Sequence, residues 1–180
     1  MFRSILFIML LLTGCAGMPG NVSVTKSKLD GERQVHVEPG WLYAGGMKMP
    51  EMKVGGFWSD KDPNDFILDV AVVGVDSVTG LKIAVDGQIS EFSPSETITN
   101  FKDTGGSGVN NSVLYIPDHP ESDKRFVIPL DYVKRMVAGK KVIVQVHLGR
   151  TVKEGEFSFN QQSYAKPAFR KAVALIENSN

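Results

Sequence analysis

Apolar and polar residues alternate along much of this chain with the two-residue period of half-buried strands. The clearest run is residues 66–73, Phe-Ile-Leu-Asp-Val-Ala-Val-Val, which is rich in β-branched residues and ends at Gly74. Its shortness argues against a helix, and the pattern predicts a strand buried on at least one face. Leu81, Ile83 and Val85 then alternate with Lys82 and Ala84, Asp86-Gly87 is a dipeptide favoured in two-residue turns, and residues 88–92 return. This is the signature of a β-hairpin. Further strands are expected at 97–101, 112–116 and 125–128, with a loop at 103–111 that carries Gly105-Gly106-Ser107-Gly108. Val142, Val144, Val146 and Leu148 fall on one face of another strand, with Ile143, Gln145 and His147 on the other. Phe157 and Phe159 alternate with Glu156 and Ser158 in a last one.

Two stretches switch to helical spacing. Asp131 as N-cap and Gly139 as C-cap bracket a short helix over 131–139. After Ser163, a candidate N-cap, a helix over 164–177 places Ala165, Ala168, Phe169, Ala172, Leu175 and Ile176 on one stripe. Lys166, Arg170, Lys171 and Glu177 lie outside it, so the helix should pack on a sheet. Residues 34–58 are aromatic and glycine-rich and read as short strands and turns. No segment repeats at a fixed period. The expected fold is mainly β, an antiparallel β-sandwich or curved sheet over residues 34–180, closed by the short helix and the C-terminal helix.

The N-terminal part is different in kind. Residues 16–33 mix Gly17, Pro19, Gly20 and Gly31 with small polar and charged residues and show no apolar period, which predicts a flexible tether. Before it stand Arg3, an apolar run over 5–12, and Leu12-Thr13-Gly14-Cys15, which contains the single cysteine. The run of about 8 residues is far short of the roughly 20 that cross a bilayer, so an export signal fits better than a span. This start resembles the type II signal peptide and lipobox of bacterial lipoproteins. The resemblance implies that residues 1–14 are removed and that Cys15, as the new N-terminus, carries a diacylglycerol and an N-acyl lipid such as palmitate. Because Ala16, not Asp, follows the cysteine, it also implies an outer-membrane anchor facing the periplasm. At about 0.8 kcal/mol per buried methylene, several acyl chains hold effectively permanently.

Composition narrows the function classes. Loss of residues 1–14 removes Arg3 alone and leaves 19 basic residues against 20 acidic ones, without the clustered basic excess of nucleic-acid binders. With Cys15 acylated, no thiol remains for a disulfide or a nucleophile, so packing alone must hold the core. No Gly-x-Ser-x-Gly elbow occurs. His36, His119 and His147 lack zinc-ligand spacing. Residues 60–71 begin like a calcium loop, but Asp65 stands where glycine is needed and Ala71 where a bidentate Glu is needed, so an acidic turn is expected. Asp118, His119, Glu121 and Asp123, beside Pro117 and Pro120, read as a polar turn.

Two groups remain as candidate sites. Met47, Met49 and Met52 form Met-x-Met-x-x-Met, which resembles methionine motifs of exported copper-handling proteins, and thioethers select Cu(I). The alternative is that these methionines fill core gaps or form an adaptable contact surface. Trp41, Tyr43, Phe57 and Trp58 suit either a partner-binding patch or core packing. The sequence therefore points to a non-catalytic, membrane-anchored envelope lipoprotein, an accessory or binding subunit with an envelope protein as partner. A periplasmic Cu(I)-handling protein is the alternative, and an enzyme would require residues such as Asp69 and His147 to converge in space.

Overall fold

The computed structural model describes residues 21–45, 49–102, 120–158 and 164–178. In chain order its strands are β1 (Val22–Lys26), β2 (Arg33–Trp41), β3 (Met52–Ser59), β4 (Asp65–Val73), β5 (Val78–Val85), β6 (Gln88–Phe92), β7 (Asn100–Lys102), β8 (Glu121–Pro129), β9 (Val142–Leu148) and β10 (Val152–Glu156). Helix α1 (Leu130–Ala138) follows β8, and α2 (Ala165–Glu177) ends the fold. A six-stranded sheet has the order β1-β2-β3-β4-β8-β7 and a four-stranded sheet the order β10-β9-β5-β6. Every pairing is antiparallel. The mainly β, two-sheet architecture with a short and a C-terminal helix is the one expected.

Alternation along the strands builds the core. Val35 and Val37 of β2, Val54 and Trp58 of β3, and Phe66, Leu68, Val70 and Val72 of β4 are buried with Leu81, Ile83, Val85, Val142, Val144 and Val146 of the smaller sheet. Both helices join the same core. Phe169 of α2 meets Phe66 at 5.5 Å and Phe157 at 5.3 Å between ring centroids. Tyr132 of α1 donates its hydroxyl to the Ile83 carbonyl at 2.9 Å, across to the smaller sheet. At Gly40 an added Cβ would lie 2.8 Å from the Ala165 nitrogen, so the start of α2 rests directly on β2. The predicted hairpin is present, with Asp86 and Gly87 both at positive φ, the geometry its two-residue turn requires.

Several expectations need correction. Residues 22–26 are not tether: Val22 to Lys26 pair with Val37 to Arg33 as an edge strand. Two valines are too few to show a period, although the partner is the next strand, joined to β1 by the turn at residues 27–32 with Gly31 at positive φ. Lys61, in the turn after β3, pairs with Asp30 and Glu32 of the β1–β2 turn and ties this edge down. The polar stretch from Glu121 is the start of β8, because each polar side chain has a partner. Ser122 donates to the Gly74 carbonyl at 2.7 Å, Glu121 pairs with Lys53, and Asp123 pairs with Lys102 at 3.3 Å. Asp118, His119 and the strand expected at 112–116 lie outside the described residues. The strand expected at 97–101 is reduced to β7, and the strand expected around Phe157 is β10, which stops at Glu156 and leaves Phe157 in the core. Phe159 lies outside the described residues. Helix α1 starts at Leu130 with Pro129 at its N-cap, so Asp131 is not a cap but an acid in the first turn, where the helix dipole favours it. Gly139 closes α1 as expected, its N–H donating to the Arg135 carbonyl at 2.8 Å. Ser163 lies outside the described residues, and Tyr164 occupies the N-cap of α2.

Lys166 was expected on the solvent side of α2 and is buried instead. Its ammonium donates to the Gly139 carbonyl at 2.6 Å, at the C-terminal end of α1, where a cation is favoured. Burial nevertheless lowers its pKa below the ordinary 10.5, with Arg170 adding to the effect. A lowered folded value means that the folded chain binds fewer protons than the unfolded one between the two values. Stability from this group therefore rises with pH through that window. Lys166→Met should remove the rise: the Tm of wild type relative to the variant is expected to climb as the pH is raised through the alkaline range toward the ordinary lysine value of 10.5. A constant difference across that range would refute the assignment.

Candidate partner-binding face

One face of the six-stranded sheet forms the core, and the register defines what stands on the other. His36 of β2 lies opposite Phe57 of β3, Phe57 opposite Ile67 of β4, and Ile67 opposite Val127 of β8. The four side chains form one apolar row across four strands. The His36 and Phe57 rings stack at 5.5 Å, and Val127 is 45% exposed. The next parallel row on this face is Gly55, Asp69 and Arg125. An added Cβ on Gly55 would come within 2.7 Å of the Pro39 nitrogen and the Val37 carbonyl oxygen, because β2 bulges over it between Val37 and Gly40. The bulge carries Trp41 to a place opposite Lys53, whose ammonium sits 4.3 Å from the centre of the indole ring.

Most charges on this face are matched within it, exposed Asp65 at the start of β4 being the exception. Lys53 pairs with Glu121, Arg125 donates from Nε to Asp69 at 3.0 Å, and Lys102 pairs with Asp123. Burial raises the Asp69 pKa, a shift that the positive charge and hydrogen bond of Arg125 oppose. The result is a hydrophobic row beside a neutralised, partly desolvated ion-pair network. That combination of an aromatic and aliphatic centre with arginine and polar groups around it is the composition of protein interfaces.

The aromatic quartet read from the sequence is divided. Trp41 and Phe57 belong to this face, whereas Trp58 is a core residue that donates Nε1–H to the Pro63 carbonyl at 3.0 Å. Tyr43 leaves the larger sheet and bridges to Glu156 of β10, with backbone bonds of 3.0 and 2.8 Å that join the two sheets. The methionine set is divided too. Met52 is buried on the inner face of β3, Met49 is 83% exposed, and Met47 lies outside the described residues. Met52 thus belongs to the core, and a three-sulfur site would require it to leave. Among the described residues no group of three or more His, Cys, Asp or Glu side chains is placed to hold a metal ion. Asp69 and His147 do not converge: Asp69 is on the outer face of the larger sheet, and His147 is on the outer face of the smaller one, bonded to Gln145 at 2.9 Å. Residues 60–64 form the polar turn expected between β3 and β4. Cys15 lies outside the described residues, and among those residues no helix is long and apolar enough to cross a membrane.

Sequence reading weighed His36 only as a metal ligand and did not single out Lys53, Ile67, Arg125 or Val127. A signal for Ile67 was present, since it stands between Phe66 and Leu68 and must point away from whichever face they bury. The others need the register.

No protein-family model and no curated protein matches this chain. Among solved structures it is similar to the crystal structure of invasion associated protein B from Bartonella henselae, at 12% identity and a TM-score of 0.42, over 89% of this chain and 97% of that one.

Proposed function

We propose that this protein is a lipoprotein anchored at the outer membrane through acyl chains on Cys15, and that it binds another protein of that membrane, without catalysis, through the outer face of the six-stranded sheet. The observation that carries this reading is the row His36, Phe57, Ile67 and Val127, four apolar or aromatic side chains beside the Lys53–Glu121 and Arg125–Asp69 ion pairs. A face without a basic excess favours a protein surface over a polyanion.

The distance from anchor to fold supports a partner at the same membrane. Because β1 begins at Val22, seven peptide steps separate it from Cys15, a span of at most about 25 Å. A leash that short keeps the sheet beside the bilayer. The Cu(I) alternative requires the Met52 sulfur, which packs in the core, and no further observation favours it.

Two variants test the reading. Cys15→Ser should leave an unlipidated precursor, and continued incorporation of radioactive palmitate would refute the anchor. The double variant Phe57→Ser, Ile67→Asp should keep the wild-type circular dichroism spectrum while the main partner recovered after cross-linking in cells falls at least about tenfold, as loss of a central hot spot of roughly 2 kcal/mol or more implies. Undiminished recovery would place the interface elsewhere.

A further inference from the structure

Among the described residues a cleft lies between β7 and the start of β5, and a buried lysine lines it. Lys124 occupies an inward position of β8, in line with the core residues Phe126 and Ile128, and is 2% exposed. Its ammonium donates to the Thr97 carbonyl at 2.8 Å and to the Thr99 hydroxyl at 3.4 Å. No carboxylate lies within ion-pair distance among the described residues. An ammonium has three donors, and two neutral oxygens, one at the limit of bonding distance, do not offset the desolvation of a full charge. Pinning residues 97–99 needs only a donor, so among the described residues the charge of Lys124 has no counter-ion.

Lys124 lines a cleft of about 620 Å³, with Val78, Thr97, Ile98, Thr99 and Phe101 among the lining. That volume is in the range of small-molecule sites. Ile98 is 75% exposed and Phe101 56% exposed, so two large apolar side chains stand at the mouth. We propose that this cleft binds a monoanionic amphiphile, a carboxylate bearing an apolar chain, with the carboxylate on Lys124 and the chain against Ile98 and Phe101. One cation suits one negative charge. Phosphate is typically met by bidentate arginine or several basic groups, and this cleft has Lys124 as its one basic side chain among the described lining residues.

The test is equilibrium dialysis of radiolabelled octanoate against the intact lipoprotein in lipid nanodiscs, with empty nanodiscs as the blank. Saturable binding of one octanoate per chain is expected, weakened at least tenfold by Lys124→Met, with octanol competing at least tenfold less well than octanoate. Ile98→Ser combined with Phe101→Ser should also weaken it several-fold. Both side chains are exposed, so this variant keeps the test decisive if Lys124→Met fails to fold. Absence of saturable binding, undiminished binding in either folded variant, or competition by inorganic phosphate equal to that by octanoate would overturn the proposal.

Discussion

Gly56→Ala is expected to destabilise the protein by about 3–5 kcal/mol, a large share of the roughly 5–15 kcal/mol that holds a typical domain. Gly56 sits in β3 between Val37 of β2 and Leu68 of β4, at φ +146°, a conformation that side-chain-bearing residues rarely adopt. A Cβ there would overlap the Ile67 carbonyl oxygen and lie 2.7 Å from Cε1 of Phe66. The first of these obstacles is backbone, so β4 would have to shift from β3 at the centre of the sheet. For a chain of this size the loss corresponds to a Tm lower by about 6–20 °C. Gly74→Ala is the matched comparison. Gly74 has φ +112° but nothing within 4 Å of the added Cβ, so only backbone strain of about 1 kcal/mol remains. Thermal unfolding of the two variants side by side separates the close approach from the dihedral, and equal Tm losses would contradict it.

Phe169→Ala should cost a similar amount, about 3–5 kcal/mol. The ring is fully buried and joins Phe66 of β4 to Phe157 just beyond β10. Its removal opens a void where α2, the larger sheet and the end of the smaller sheet meet, and also removes two aromatic contacts worth about 0.5–1.5 kcal/mol each beyond their area. Phe57→Ala on the outer face removes the same atoms from a partly exposed site and should cost far less. Urea unfolding should show a lower midpoint for Phe169→Ala with an unchanged slope. A midpoint as high as that of Phe57→Ala would mean that α2 is not part of the cooperative core.

What could be read from the sequence was what is specified locally. The β5–β6 hairpin was legible because Asp86-Gly87 itself holds the turn geometry. What the sequence did not show is that Asp86 also accepts from the Lys140 and Lys141 amides at 3.0 and 2.8 Å, which lowers its pKa and fixes the hairpin to the chain after α1. The strand content of β9 and the inward stripe of α2 were legible for the same reason. β1 was not, because its two valines are too few to show a period, and the first half of β8 was not, because its polar residues find partners dozens of positions away.

The candidate site was only half legible. Grouping Trp41, Tyr43, Phe57 and Trp58 by proximity in sequence ignored the pleat: Phe57 and Trp58 are neighbours in one strand, so one of them must face the core when the other faces outward. Met49 and Met52 separate for a different reason: Met49 lies before β3 and is exposed, whereas Met52 is its first, inward-facing residue. Ile67 and Val127 complete the outer row only once β4 and β8 are known to be adjacent, and no local pattern specifies that pairing.

The sheet-face reading is tested most directly by a photo-crosslinking residue placed in living cells at position 57, 67 or 127, with position 89 as control. Ile89 is also exposed but stands on edge strand β6 of the smaller sheet. Light should join the first three positions to one and the same membrane protein and give no such adduct from position 89. An adduct of equal yield from position 89, or none from the three face positions in correctly folded protein, would contradict the proposed interface.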